Sequence, residues 1–124
     1  MKTKDKSRID KLTLYHNPVC GNSRGAMELL KARAVEFETI EYLKHPPPRA
    51  ALEEIIAMLE GPVADLVRKD KRFGELGLKA ENYTTKSAVI DLLLEHPELM
   101  QRPVVIQAGR AIIARPPEKL EALF

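Results

Sequence analysis

Residues 12–43 constrain the fold more than any other stretch, because they read as strand, helix and strand within about 30 residues. Residues 12–15 form a short β-type run, the polar His16-Asn17-Pro18 interrupts it, and residues 23–30 carry a helical pattern that Lys31-Ala32-Arg33-Ala34 closes. Residues 35–43 hold Val, Phe, Thr, Ile and Tyr in partial alternation and are expected to form a second strand. A βαβ unit of this kind has parallel strands joined by a right-handed crossover.

Cys20, the only cysteine, falls in the loop between the first strand and the helix. Amide groups in the first turn of a helix have no internal partners, and the macrodipole adds positive charge there, so an anion is stabilised. A free thiol with a pKa of about 8.5 is only slightly ionised at pH 7, whereas helix N-termini and nearby cations lower it to roughly 3.5–7.5. A lone cysteine is otherwise often a small buried hydrophobe. Here Pro18, Gly21, Asn22 and Ser23 flank it, and these residues suit an exposed loop and a helix cap.

The remaining order completes a sheet. The three prolines of residues 46–48 favour a rigid extended spacer. Residues 49–60 form an amphipathic helix through Leu52, Ile55, Ile56 and Leu59, with Gly61 behind it. Pro62 is expected to open a further helix over 62–70, residues 71–83 to be turn-like, and Thr84 or Thr85 to cap a helix over 86–95 that Pro97 stops. Residues 104–106 and 111–113 make a β-hairpin, and residues 117–124 a closing short helix. The expectation is an α/β fold with a four-stranded mixed sheet and an inserted helical segment, a single domain over 11–124 after a flexible tail of residues 1–10.

Composition narrows the function classes. The 124 residues carry 20 Lys and Arg against 18 Asp and Glu, a net charge of +2 that gives no reason to expect nucleic acid or a membrane surface as partner. No apolar stretch approaches the length of a membrane span and the charged N-terminus is unlike a signal peptide, so a cytoplasmic chain, and a monomer, is expected. One cysteine excludes an internal disulfide, so an oxidised Cys20 needs a thiol from another molecule. Three scattered histidines offer no zinc spacing, and no metal is expected.

The element order, with a cysteine at the first helix N-terminus, resembles the thioredoxin-like fold, and its helical insertion resembles the glutaredoxin-coupled, glutathione-dependent arsenate reductases. Tyr15-His16-Asn17-Pro18-Val19-Cys20-Gly21-Asn22-Ser23-Arg24 is similar to that family's active-site signature. Leu66-Val67-Arg68-Lys69, Gln101-Arg102-Pro103-Val104-Val105 and Ala114-Arg115-Pro116-Pro117-Glu118 are similar to its three arginine segments. The resemblance implies Cys20 as nucleophile, Arg68, Arg102 and Arg115 around an oxyanion, a cis bond before Pro103, arsenate as substrate, glutathione as co-substrate and glutaredoxin as partner, with no bound cofactor.

The chemistry of these residue types agrees. Arsenate is a multiply charged tetrahedral oxyanion, and guanidinium supplies permanent charge with a planar fork of donors that a lysine lacks. The same cations would hold Cys20 as thiolate. Gly21, Asn22 and Ser23 are the expected backbone cradle, with Ser23 capping the helix or donating to an oxygen. Two questions stay open at this level: whether Arg24 faces the pocket or solvent, and whether His16 is an imidazolium beside the thiolate or a neutral ring shaping the loop. A Cys-x5-Arg loop is absent, since position 26 is Ala26. Two other readings compete: a glutathione-linked thiol oxidoreductase, from Cys20-Gly21-Asn22-Ser23, and a non-catalytic regulator of the wider family that contacts RNA polymerase.

Overall fold

The computed structural model describes residues 11–124; the expected tail of residues 1–10 lies outside the described residues. Strand β1 (Leu12–His16) is central in a sheet of order β2-β1-β3-β4. It pairs in parallel with β2 (Phe37–Glu41) from Leu12↔Phe37 to His16↔Glu41, and antiparallel with β3 (Val104–Gln107) through Leu14↔Val105. Strand β4 (Arg110–Ile113) closes the hairpin, turning through Ala108 and Gly109 at φ of 51° and 78°. Two successive positive φ values are the signature of a tight type I′ turn, whose twist matches the strands.

Side-chain alternation on these strands sorts the core into two layers. Leu12, Leu14 and Val105 face Ala26 and Leu30 of helix α1 (Gly21–Ala32) and Leu120 of the closing 3-10 helix Pro117–Leu123. Tyr15 and Val104 face the other way, against Leu52 and Ile55 of α2 (Arg49–Met58) and Val89, Ile90 and Leu93 of α4 (Lys86–Glu95). Helices on both faces of a mixed sheet, with a βαβ half and a ββ hairpin, form the thioredoxin-like α/β arrangement expected from the element order.

The departures from the sequence reading have identifiable causes. Strand β2 is shorter than 35–43 because its partner β1 is only five residues long, and Ala34, at φ 58°, turns the chain just before it. Helix α2 stops at Met58, since Leu59 bridges to Ala111 and the Glu60 N–H donates to the Ala111 carbonyl at 2.9 Å.

The helix expected over 62–70 is a correction: only the 3-10 turn Val63–Leu66 forms. Val67 is extended and bridges to Met100, the Arg68 N–H donates to Leu99 O at 2.7 Å, and the Gln101 N–H to Leu66 O at 2.8 Å. Strand-like pairing with a distant segment replaces the local helix. Within the expected turn region, Asp70 accepts from the Phe73 N–H and caps a short helix α3 (Lys71–Glu75). The cap of α4 is Thr85, which accepts from the Ala88 N–H at 3.2 Å. No helix among the described residues is long and apolar enough to cross a membrane.

The closing helix packs on α1 through Gly25. A Cβ built there would lie 2.8 Å from Pro117 Cγ, a ring atom that cannot rotate away. Gly25→Ala is therefore expected to destabilise the fold by about 1–3 kcal/mol through overpacking, despite alanine's better helix propensity. A lowered urea midpoint is the check; an unchanged or raised midpoint contradicts this packing.

Candidate active site

The N-terminus of α1 forms around Cys20, which occupies the cap position at φ −91° and ψ 125°. Its N–H donates to Asn17 O at 3.0 Å and its carbonyl accepts from the Arg24 N–H at 2.9 Å, so the chain enters the helix through a closed turn. The thiol is partly exposed. Burial pushes its pKa up, but the Ser23 amide, the Arg102 and Arg115 guanidinium groups and the Asn22 amide all donate toward the sulfur. The donors prevail, and the pKa falls to about 7.

Two of the three expected arginines converge on this sulfur. Arg115 Nη1 lies 3.6 Å from Cys20 Sγ and also donates to the Arg102 carbonyl at 2.8 Å, so one side chain joins all three segments. Arg102 and Arg115 each precede a cis peptide bond, to Pro103 as expected and to Pro116 as not foreseen.

Arg68 is placed differently. Its Nε donates to Asp70 at 2.9 Å and its Nη1 to Gln101 Oε1 at 3.1 Å, and it is not among the groups acting on the thiol. Burial pushes the Asp70 carboxyl up, but the Phe73 N–H and Arg68 hold its pKa below the usual range, so Asp70 faces Arg68 as a carboxylate at neutral pH. Gln101 Oε1 also faces the Arg102 N–H at 3.3 Å, so Arg68 stands one residue behind Arg102.

The small residues of the loop divide their work between backbone and side chain. Ser23 is fully buried, and its hydroxyl neither caps the helix nor faces the thiol. Instead its oxygen accepts from the Asn17 N–H at 2.9 Å and lies 2.8 Å from His16 Nδ1. The hydroxyl keeps one proton and a second lone pair, so it can donate to Nδ1 or accept from it, and either tautomer of a neutral ring keeps this contact. Burial pushes the His16 pKa down; Glu41 opposes and Arg24 assists. Of the two roles left open, the neutral, loop-shaping histidine is the one this environment favours.

Arg24 is exposed and donates from Nη1 to Pro18 O at 3.2 Å, bracing the loop from the solvent side. Gly21 is also exposed, and a Cβ there would meet no heavy atom within 4 Å. The space above Gly21 is therefore open. Among the described residues no three His, Cys, Asp or Glu side chains gather into a metal-binding group.

Sequence reasoning missed Asn17, Gln101 and Tyr42. The first two lie inside the quoted motifs, and Asn17 Oδ1 accepts from the Val19 N–H at 3.0 Å to hold the loop. Tyr42, fully buried just beyond β2, has Arg102, Asn17 and Cys20 around its hydroxyl. Nothing local distinguishes it from any other β-forming aromatic.

The thiol's donors set an expected pH dependence. Below a pKa of about 7 Cys20 is protonated and slow to alkylate; above it the thiolate reacts. Arg115→Ala removes a donor while burial still favours the neutral thiol, so the midpoint of iodoacetamide reactivity should move to higher pH. A midpoint unchanged by this substitution contradicts the role of the 3.6 Å contact.

Comparison with known proteins bears on this geometry. The model of the ArsC family matches residues 15–123. The chain is 39% identical over 111 residues to the arsenate reductase of Escherichia coli K12, covering 89% of this chain and 78% of that protein. It is 35% identical over 118 residues to the arsenate reductase of Neisseria meningitidis, covering 94% of this chain and 100% of that one. Among solved structures, an arsenate reductase from Vibrio cholerae superposes with a TM-score of 0.82 at 29% identity, covering 93% of this chain and 98% of its own. With the match running from the strand before Cys20 through the segment carrying Arg115, the chain belongs to the ArsC family.

Proposed function

We propose that this chain reduces arsenate to arsenite, with Cys20 as nucleophile and glutathione and glutaredoxin as the electron supply. The observation that carries the reading is the meeting of Arg115, Arg102 and the α1 amides at one low-pKa thiol. A group of donors that stabilises a thiolate also suits a tetrahedral oxyanion brought against it. The curated relatives at 35% and 39% identity are arsenate reductases, which supports this substrate over other oxyanions.

The thiolate attacks As(V), forming an S–As bond as one arsenate oxygen is protonated and leaves as water. Arg102 and Arg115 stay with the remaining oxygens and offset their charge. A glutathione thiol then adds to the arsenic. As an S–S bond forms between the two sulfurs, they lose two electrons, As(V) becomes As(III), and arsenite departs. Cys20 is left as a mixed disulfide with glutathione, which glutaredoxin resolves by thiol–disulfide exchange. The absence of a second cysteine in the sequence agrees with a resolving thiol from outside. A groove of about 560 Å³, lined by Val67, Lys69, Gln101, Ile113, Arg115 and Lys119, shares Arg115 with the thiol site and has the volume for a peptide-sized thiol. Phosphate shares arsenate's shape and charge, and the discrimination lies in the chemistry, since a thiolate reduces As(V) and not P(V).

In this reading the chain works as a monomer that meets its partners in turn, with no bound cofactor. Arsenite production from arsenate with glutathione and glutaredoxin should be lost in Cys20→Ser and when glutaredoxin is omitted. Folded wild-type protein with an intact thiol that produces no arsenite would overturn the assignment and favour a general thiol or partner-binding role.

A further inference from the structure

Two buried side-chain atoms among the described residues lack a hydrogen-bond partner, the Tyr42 hydroxyl and Arg102 Nε. They are not scattered. The Tyr42 hydroxyl faces the Arg102 guanidinium and the Asn17 carboxamide, both near enough to act on it as donors, with the Cys20 sulfur also within electrostatic reach, yet neither contact attains full hydrogen-bond geometry. A buried polar atom without a partner is costly, and here two belong to neighbouring side chains.

Their chemistry is complementary. Nε–H only donates, whereas a phenol oxygen has two lone pairs to accept with, and Asn17, whose Oδ1 accepts from the Val19 N–H, turns its carboxamide N–H toward that oxygen. The Arg102 backbone is fixed, its carbonyl accepting from Arg115 at 2.8 Å, so the freedom to adjust lies in its side chain. Asn17 is fixed as well, because its carbonyl accepts from the Cys20 N–H at 3.0 Å.

We propose that Tyr42 is a positioning residue of the thiol site: when an anion, thiolate or oxyanion, draws in the Arg102 guanidinium, the Tyr42 hydroxyl oxygen accepts from Nε while the Asn17 carboxamide N–H donates to the same oxygen. The relay Arg102–Tyr42–Asn17 ties the orientation of one arginine to the loop that carries Cys20. The ionisable groups facing the thiol are then Arg102, Arg115 and Tyr42, with the Asn22 and Ser23 amides completing the set. Burial pushes the Tyr42 pKa up, and the opposing Arg102 charge does not reverse this, so the phenol keeps its proton at neutral pH. The proposal rests on the oxyanion reading only where arsenate is the probe.

Tyr42→Phe removes the hydroxyl and keeps the ring in the core. It is expected to move the pH midpoint of Cys20 alkylation upward, and to raise the arsenate concentration that half-protects Cys20 by on the order of tenfold, as for a lost hydrogen bond to a charged group. In an Arg102→Ala background the same change should shift neither quantity further, because Tyr42 acts through Arg102. Unmoved values in the single variant, or equal shifts in both backgrounds, would overturn the proposal, whatever happens to the urea midpoint. The alkylation midpoint needs no arsenate, so it stands apart from the substrate assignment. If Tyr42→Phe does not fold, the Arg102 Nε–H signal of ¹⁵N-labelled wild type decides the matter. Slowed hydrogen exchange as the thiol ionises supports the relay; unchanged exchange refutes it.

Discussion

The arrangement of the candidate site depends on one sulfur, Cys20, meeting donors from its own helix and from two segments far along the chain. Burial by itself would keep the Cys20 thiol protonated. The helix supplies the Ser23 and Asn22 amides locally, but Arg102 and Arg115 are brought in only by the sheet order, which sets β3 beside β1 and β4 beyond β3. Arg115 then joins the pieces, holding the Arg102 carbonyl and the sulfur with the same nitrogen. Fold and site meet at that guanidinium, since the segment that follows the last strand also reaches the Cys20 sulfur.

Behind the sulfur lies a buried polar network that must be satisfied if the loop is to keep its shape. Ser23 links the His16 ring to the Asn17 amide, and Asn17 in turn holds Val19 through its side chain and Cys20 through its carbonyl. A neutral His16 suits this work: a second charge would add desolvation where the site already concentrates positive groups. Arg68 sits outside the innermost set, paired with Asp70 and reaching Gln101. Its charge at the thiol is thereby offset by a carboxylate, which leaves Arg102 and Arg115 as the cations in direct reach.

What the sequence revealed follows from the range of the interactions. The Cys20 loop was legible because strand, break and helix are local patterns, and the hairpin because its turn chemistry is local as well. Arg102 and Arg115 were legible only through family-like motifs, since no periodicity relates them to a residue more than 80 positions away. The segment around Arg68 was misread for the opposite reason: its helical pattern is local, but pairing of Val67 with Met100 prevails. Ser23 looked like a cap because caps and buried network residues share the same chemistry. Tyr42 was invisible, because a strand-forming aromatic and a buried hydroxyl at an active site are the same letter.

Protection of Cys20 by arsenate tests most directly whether the donors holding the thiolate also hold an oxyanion against it. At neutral pH and without glutathione, arsenate should slow iodoacetamide alkylation of wild-type Cys20 saturably, and should fail to do so when Arg102 and Arg115 are both alanine. Alkylation of the wild type at a rate indifferent to arsenate would contradict the account.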